Sequence, residues 1–109
     1  MLPLLQSPAE ALIEQGVKAR ISDRPGDALD LFRKAHALSP TARTLAQMGL
    51  AECSLRRWLE AETHLTAALA EHDTPWIEIR RIRATLEFVL ALRARSHRQH
   101  LHRRRHSRS

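Results

Sequence analysis

The stretch GDALDLFRKAHALSP, Gly26 to Pro40, sets small and bulky side chains at Ala28, Phe32 and Ala35 and then ends in proline. Thirty-three residues on, LEAETHLTAALAEHD, Leu59 to Asp73, has Ala61, Leu65 and Ala68 in the same places. Steps of four and then three bring each trio onto one side of a helix, so one helical face is written twice. The echo reaches upstream as well, where Leu12 matches Leu45 and Gly16 matches Gly49 at the same offset. What repeats is therefore a pair of helices with the turn between them.

Start and stop signals divide the chain into five predicted helices. Ser7-Pro8-Ala9-Glu10 offers a serine cap, a proline where a missing N–H costs nothing, and a glutamate three residues after the cap. Ala9, Leu12, Ile13, Gly16, Val17 and Ala19 follow as a stripe, and Asp23-Arg24-Pro25-Gly26 turns the chain. The second helix is expected from about Asp27 to Leu38, and Ser39-Pro40-Thr41 ends it. A third runs from about Thr41 to Leu55, with Arg56-Arg57-Trp58 as the next turn. The fourth reaches about His72, and Thr74-Pro75 opens a fifth, from Trp76 to at least Leu92.

Composition agrees with close-packed helices. Of 109 residues 43% are apolar, yet there are only two Phe, two Trp and no Tyr, so aliphatic side chains and alanine must fill one modest core. Alternating β-branched runs are missing, which leaves strands without support. The expectation is an all-α chain: a lead at 1–7, a helical domain at 8–92 and an Arg/His-rich end at 93–109.

The repeating unit resembles the tetratricopeptide repeat, whose pattern is W-x2-L-G-x2-Y, then A-x3-F, then P. The first copy, about 9–40, reads Leu12-x2-Gln15-Gly16-x2-Ala19, then Ala28-x3-Phe32, then Pro40. The second, about 42–73, reads Leu45-x2-Met48-Gly49-x2-Glu52, then Ala61-x3-Leu65. Leucines stand for the family's tryptophan, Ala19 and Glu52 for its tyrosine, and Asp73 for its closing proline. The resemblance implies a short solenoid of antiparallel helix-turn-helix units, with 75–92 as a capping helix.

It also implies a function. Members of the family hold extended peptides or partner helices on a concave face lined by the first helix of each pair. The matching positions here are Glu10, Ile13, Val17 and Arg20 in the first repeat, and Arg43, Ala46, Leu50 and Cys53 in the second. Ile13, Val17, Ala46 and Leu50 occur where carboxylate-clamping members carry lysine and asparagine, so an apolar peptide or helix is the expected protein partner. Packing of about half of these residues against the chain's own helices is the competing expectation. With only two repeats, a dimer mate, a partner or further chain would complete the array.

The charge is concentrated at one end. Residues 1–92 hold eleven Lys plus Arg against twelve Asp plus Glu, whereas 93–109 hold seven Arg and no acid. Arg93, Arg95, Arg98, Arg103, Arg104, Arg105 and Arg108 are thus candidates for non-specific contact with nucleic acid or another polyanion, carried on a disordered tail. The plain alternative is a solvated end without a role. Arginine outnumbers lysine sixteen to two, as in GC-rich coding DNA, where a frameshifted or truncated piece of a larger bacterial repeat protein would end in this way.

Catalytic chemistry has little support. The chain has no Gly-rich phosphate loop, H-E-x-x-H, C-x-x-C or nucleophile elbow, and no cofactor or metal is expected. His97, His100, His102 and His106 lack an accompanying carboxylate or thiolate. His36, His64 and His72 read as solvated or capping side chains, and the lone Cys53 as a structural thiol. No apolar run approaches the roughly 20 residues of a membrane span, and MLPLLQSP lacks a basic n-region. A non-enzymatic, soluble, cytoplasmic adaptor is the expectation.

Overall fold

In the computed structural model, which describes residues 7–71 and 79–107 (side chains at 79, 80, 96, 97 and 99–107 excepted), the chain forms five helices. These are α1 (Pro8–Ile21), α2 (Pro25–Leu38), α3 (Ala42–Ser54), α4 (Trp58–Ala70) and α5 (Ile79–Ser107). No strand occurs among the described residues. Helices α1 and α2 form one hairpin and α3 and α4 a second, while α3 packs on α2 and α5 on α4. The expected start of the last helix, Trp76, and the Thr74-Pro75 opening lie outside the described residues.

The ends of the helices follow local chemistry. The Ser7 hydroxyl accepts a bond from the Glu10 N–H at 3.1 Å, and Thr41 and Thr44 exchange reciprocal bonds as a capping box at the start of α3. Both hairpin turns use one device. After α1, Arg24 N–H donates to the Ala19 carbonyl at 2.9 Å and Asp23 N–H to that of Arg20 at 3.2 Å; after α3, Arg57 N–H donates to Glu52 at 2.9 Å and Arg56 N–H to Cys53 at 3.0 Å. These are Schellman closures, and they place Asp23 (φ 59°) and Arg56 (φ 61°) in the left-handed region. Glycine is the usual occupant there, so both side chains carry strain that the closure bonds hold in place. The two residues are again 33 apart.

The core repeats with the turns. One cluster joins Ile13, Ala28, Phe32 and Ala35 to Met48 and Ala51 of α3, and the other joins Ala46, Ala61, Leu65 and Ala68 to Ile82 and Val89 of α5. Helix α5 therefore sits on the second hairpin as α3 sits on the first, with Ile82 in the role of Met48. At the centre of each hairpin a glycine meets the bulky residue of the pattern. A methyl group at Gly16 would overlap the ring of Phe32, and one at Gly49 would lie 2.6 Å from the Leu65 side chain.

Two differences mark the ends of the array. Helix α5, expected to reach at least Leu92, has helical backbone through Ser107. Arg, Gln, Leu and Ala all favour helix, and no Pro or Gly interrupts 76–109. The second difference is at α1. Thr44, Gln47, Met48 and Ala51 of α3 are buried, whereas their counterparts 33 residues earlier, Ala11, Glu14, Gln15 and Lys18, are half-buried or exposed. The outer edge of α1 thus has the polar character of a terminal repeat.

The glycine contacts generate a direct test. Gly16→Ala and Gly49→Ala are each expected to lower stability by about 1–3 kcal/mol through overpacking against fully buried side chains. Gly26→Ala, where nothing lies within 4 Å of the added methyl group, should stabilise by roughly 0.5–1 kcal/mol. Chemical denaturation of the three variants checks this, and equal stability of Gly49→Ala and the parent would contradict the close helix crossing.

Candidate functional site

The residues expected to line a concave face divide into two groups. Ile13, Ala46 and Leu50 are buried at 3%, 0% and 6% exposure, and Ile13 and Ala46 belong to the two core clusters. They are packing residues, not an open apolar lining, because the helices approach closely enough to close over them. Val17 and Cys53 are half-buried against the same clusters, and Arg20 is half-buried. Glu10 and Arg43 are accessible but engaged with each other: one Arg43 nitrogen donates to both carboxylate oxygens of Glu10, at 2.8 and 2.9 Å. That pair joins equivalent positions of the two repeats and fixes α1 against α3. Being half exposed, it is worth no more than about 1 kcal/mol.

Apolar surface is nevertheless present along the first-of-pair helices. Ile21 lies one turn beyond Val17 and is 74% exposed. On α5, Leu86 is half-buried and Leu90 is 44% exposed. The stripe 13-17-21 was legible in the sequence as steps of four, but Ile21 also ends its helix beside the turn. Leu38, Leu59 and Phe88 are further exposed apolar side chains, at 60%, 63% and 57%.

The second repeat holds a buried polar pair that helical periodicity did not reveal. Glu52 is fully buried, and its Oε1 lies 2.6 Å from His64 Nδ1 on α4, so His64 is not merely a solvated side chain. The short contact takes two forms: a carboxylate accepting from Nδ1–H, or an acid donating to bare Nδ1. The other oxygen, Oε2, is buried with no hydrogen-bond partner among the described residues. Burial raises the pKa of Glu52 above its ordinary value, His64 and Arg33 oppose the shift, and Glu60 adds to it. Next to it, burial and then the Glu52 charge push the Cys53 thiol up to about 11, so at neutral pH it is a protonated, poorly nucleophilic thiol.

A smaller polar cluster fixes α3 against α2. Thr44, fully buried, donates its single hydroxyl hydrogen to the Thr41 carbonyl at 2.9 Å. His36 Nδ1 lies 2.6 Å from the same hydroxyl oxygen, donating to it in the Nδ1–H tautomer and taking the hydroxyl hydrogen in place of the carbonyl in the other. His36 too is structural, and His72 lies outside the described residues.

The basic end is only partly available as a charged surface. Arg93 forms an ion pair with Glu62 of α4 and ties the middle of α5 to the second hairpin. Arg95 and Arg98 are exposed. Arg103, Arg104 and Arg105 lie on helical backbone but their side chains are outside the described residues, as are those of His97, His100, His102 and His106; Arg108 is outside entirely. Among the described residues no group of three or more His, Cys, Asp or Glu side chains could hold a metal ion, and no helix is long and apolar enough to cross a membrane. A shallow depression of about 510 Å³ between α1 and α2 is lined by charges of both signs, Lys18 and Lys34 with Asp27 and Asp30.

Comparison with protein-family models gave no match, and neither did comparison with curated proteins or with solved structures.

The buried pair makes stability depend on pH with a defined sign. A carboxyl whose folded pKa is raised contributes fully below its unfolded value of about 4.5, and this contribution is lost as pH rises through the folded value. Glu52→Gln, which cannot ionise, is expected to gain stability relative to the parent as pH increases from about 4 to 7. Denaturation curves across that range read the effect, and a parent that gains on the variant with rising pH would show the ionised pair to be the favoured form.

Proposed function

We propose that the chain is a non-catalytic interaction module of the tetratricopeptide type, binding an apolar peptide or helix along its first-of-pair helices. The observation that carries this reading is the exposed Ile21, in line with Val17 on the side of α1 that meets α3 through Glu10 and Arg43. A solvated isoleucine continuing the line of the half-buried Val17 offers apolar area that a partner helix or peptide could cover. Two hairpins of matching construction give such a surface a rigid backing, and protein recognition then needs no group of unusual reactivity. The buried state of Ile13, Ala46 and Leu50 moves the contact surface from those residues to Val17, Ile21, Cys53 and Leu86.

Immobilised full chain and its Ile21→Arg variant, exposed to the same cell extract, should differ in the protein captured while matching in helicity and melting. Ile21 is exposed enough for the substitution to spare the fold. Identical capture by both would place the contact surface elsewhere.

A second reading rests on the length of α5. Because the helix runs through Ser107, Arg95, Arg98, Arg103, Arg104 and Arg105 stand on one helical backbone, which gathers their charge more closely than a disordered tail does. Truncation after Arg93 keeps the ion pair to Glu62 and removes these arginines. The full chain should then be retained on heparin to higher salt than the truncated one, with a slope on duplex DNA of about −0.9 per phosphate contact. Equal retention would dismiss the polyanion role.

A further inference from the structure

Helix α3 is packed on two sides, by α2 and by α4, but α5 is packed among the described residues on one, through Ile82, Leu86 and Val89. Its opposite side presents Ala84, Glu87, Ala91, Ala94 and Arg98 at alternating steps of three and four, with Phe88 and Arg95 flanking this row. All seven are exposed, Phe88 at 57% even though its ring meets Trp58 of α4 edge-on, centroids 6.4 Å apart. At about 1.5 Å per residue the row from Ala84 to Arg98 runs for roughly 21 Å along the side of α5 away from Ile82, Leu86 and Val89.

We infer that this face pairs with the same face of a second copy of the chain, antiparallel, with the crossing at Ala91. The row is complementary to itself in that direction alone. Antiparallel about this crossing, Glu87 of each copy stands opposite the Arg95 of the other, with Arg98 one turn further along. Phe88 lies over the small Ala94, and the alanines let the backbones approach. Every contact is made twice, as a two-fold interface requires. A parallel pair would instead oppose Glu87 to Glu87 and Arg95 to Arg95. The second α5 thereby covers a side of the last helix that α4 covers on α3. The residues involved are distinct from Val17, Ile21, Cys53 and Leu86, so the dimer and the partner-binding surface stand or fall separately.

The test is sedimentation of the full chain from about 1 to 200 µM, where a dimer should form reversibly. Glu87→Arg should raise its dissociation constant by about tenfold or more, since like charges then face each other. The triple substitution Glu87→Arg, Arg95→Glu, Arg98→Glu restores opposite signs and should recover the dimer, a rescue that general surface damage cannot produce. Circular dichroism confirms that each variant remains helical. A monomer throughout the range overturns the inference. So does a dimer insensitive to Glu87→Arg, or one that the charge exchange fails to rescue. A parent that stays monomeric yet binds duplex DNA would assign this face of α5 to the polyanion.

Discussion

The distance between two helices at Gly16 and at Gly49 governs the rest of this molecule. With no side chain at either position, Phe32 and Leu65 reach the backbone of the neighbouring helix and are themselves completely buried. Around them Ala28, Ala35 and Ala61 are equally inaccessible, so at each glycine crossing one large side chain is seated among small ones. At such separation the attraction comes from many backbone and methyl contacts, and a chain with few aromatic residues can still fill its core. A bulkier residue at either glycine would part the helices and open every alanine contact along the hairpin.

Closeness within the hairpins also decides what is left for binding. Helices that approach this far close over Ile13, Ala46 and Leu50, turning a would-be lining into core. The surface that remains is set by the repeat ends. Positions buried in α3 by α2 are mostly polar and more exposed in α1, whereas α5 lacks a second hairpin helix among the described residues and displays Phe88 and Leu90. Both ends derive from one motif. They differ because a nearest-neighbour array buries a face only where a neighbour exists.

The second repeat departs from the first at Glu52, whose counterpart is Ala19. A carboxyl fully withdrawn from water is costly, and its bond to His64 offsets only part of that cost while Oε2 remains without a partner. What the pair supplies is a specific register between α3 and α4, since sliding either helix by one residue would strand the carboxyl. The same burial silences Cys53 by keeping its proton. The two repeats are thus alike in backbone and unlike in their polar interiors.

The sequence by itself determined the five helices and their pairing into hairpins, because helical periodicity, caps and a 33-residue echo are local or translational properties of the chain, whereas the division of the expected single core into two clusters came from the packing. Small-to-large complementarity at Gly16 with Phe32 and Gly49 with Leu65 was legible for the same reason. Tertiary structure alone decided how deep each apolar residue lies, that Glu52 meets His64, and that Arg43 spans to Glu10. It also decided that Arg93 turns to Glu62 instead of solvent. These depend on distances between helices that periodicity does not encode: a stripe identifies the side that faces inward, but only the separation of the packed backbones says whether anything can still reach it.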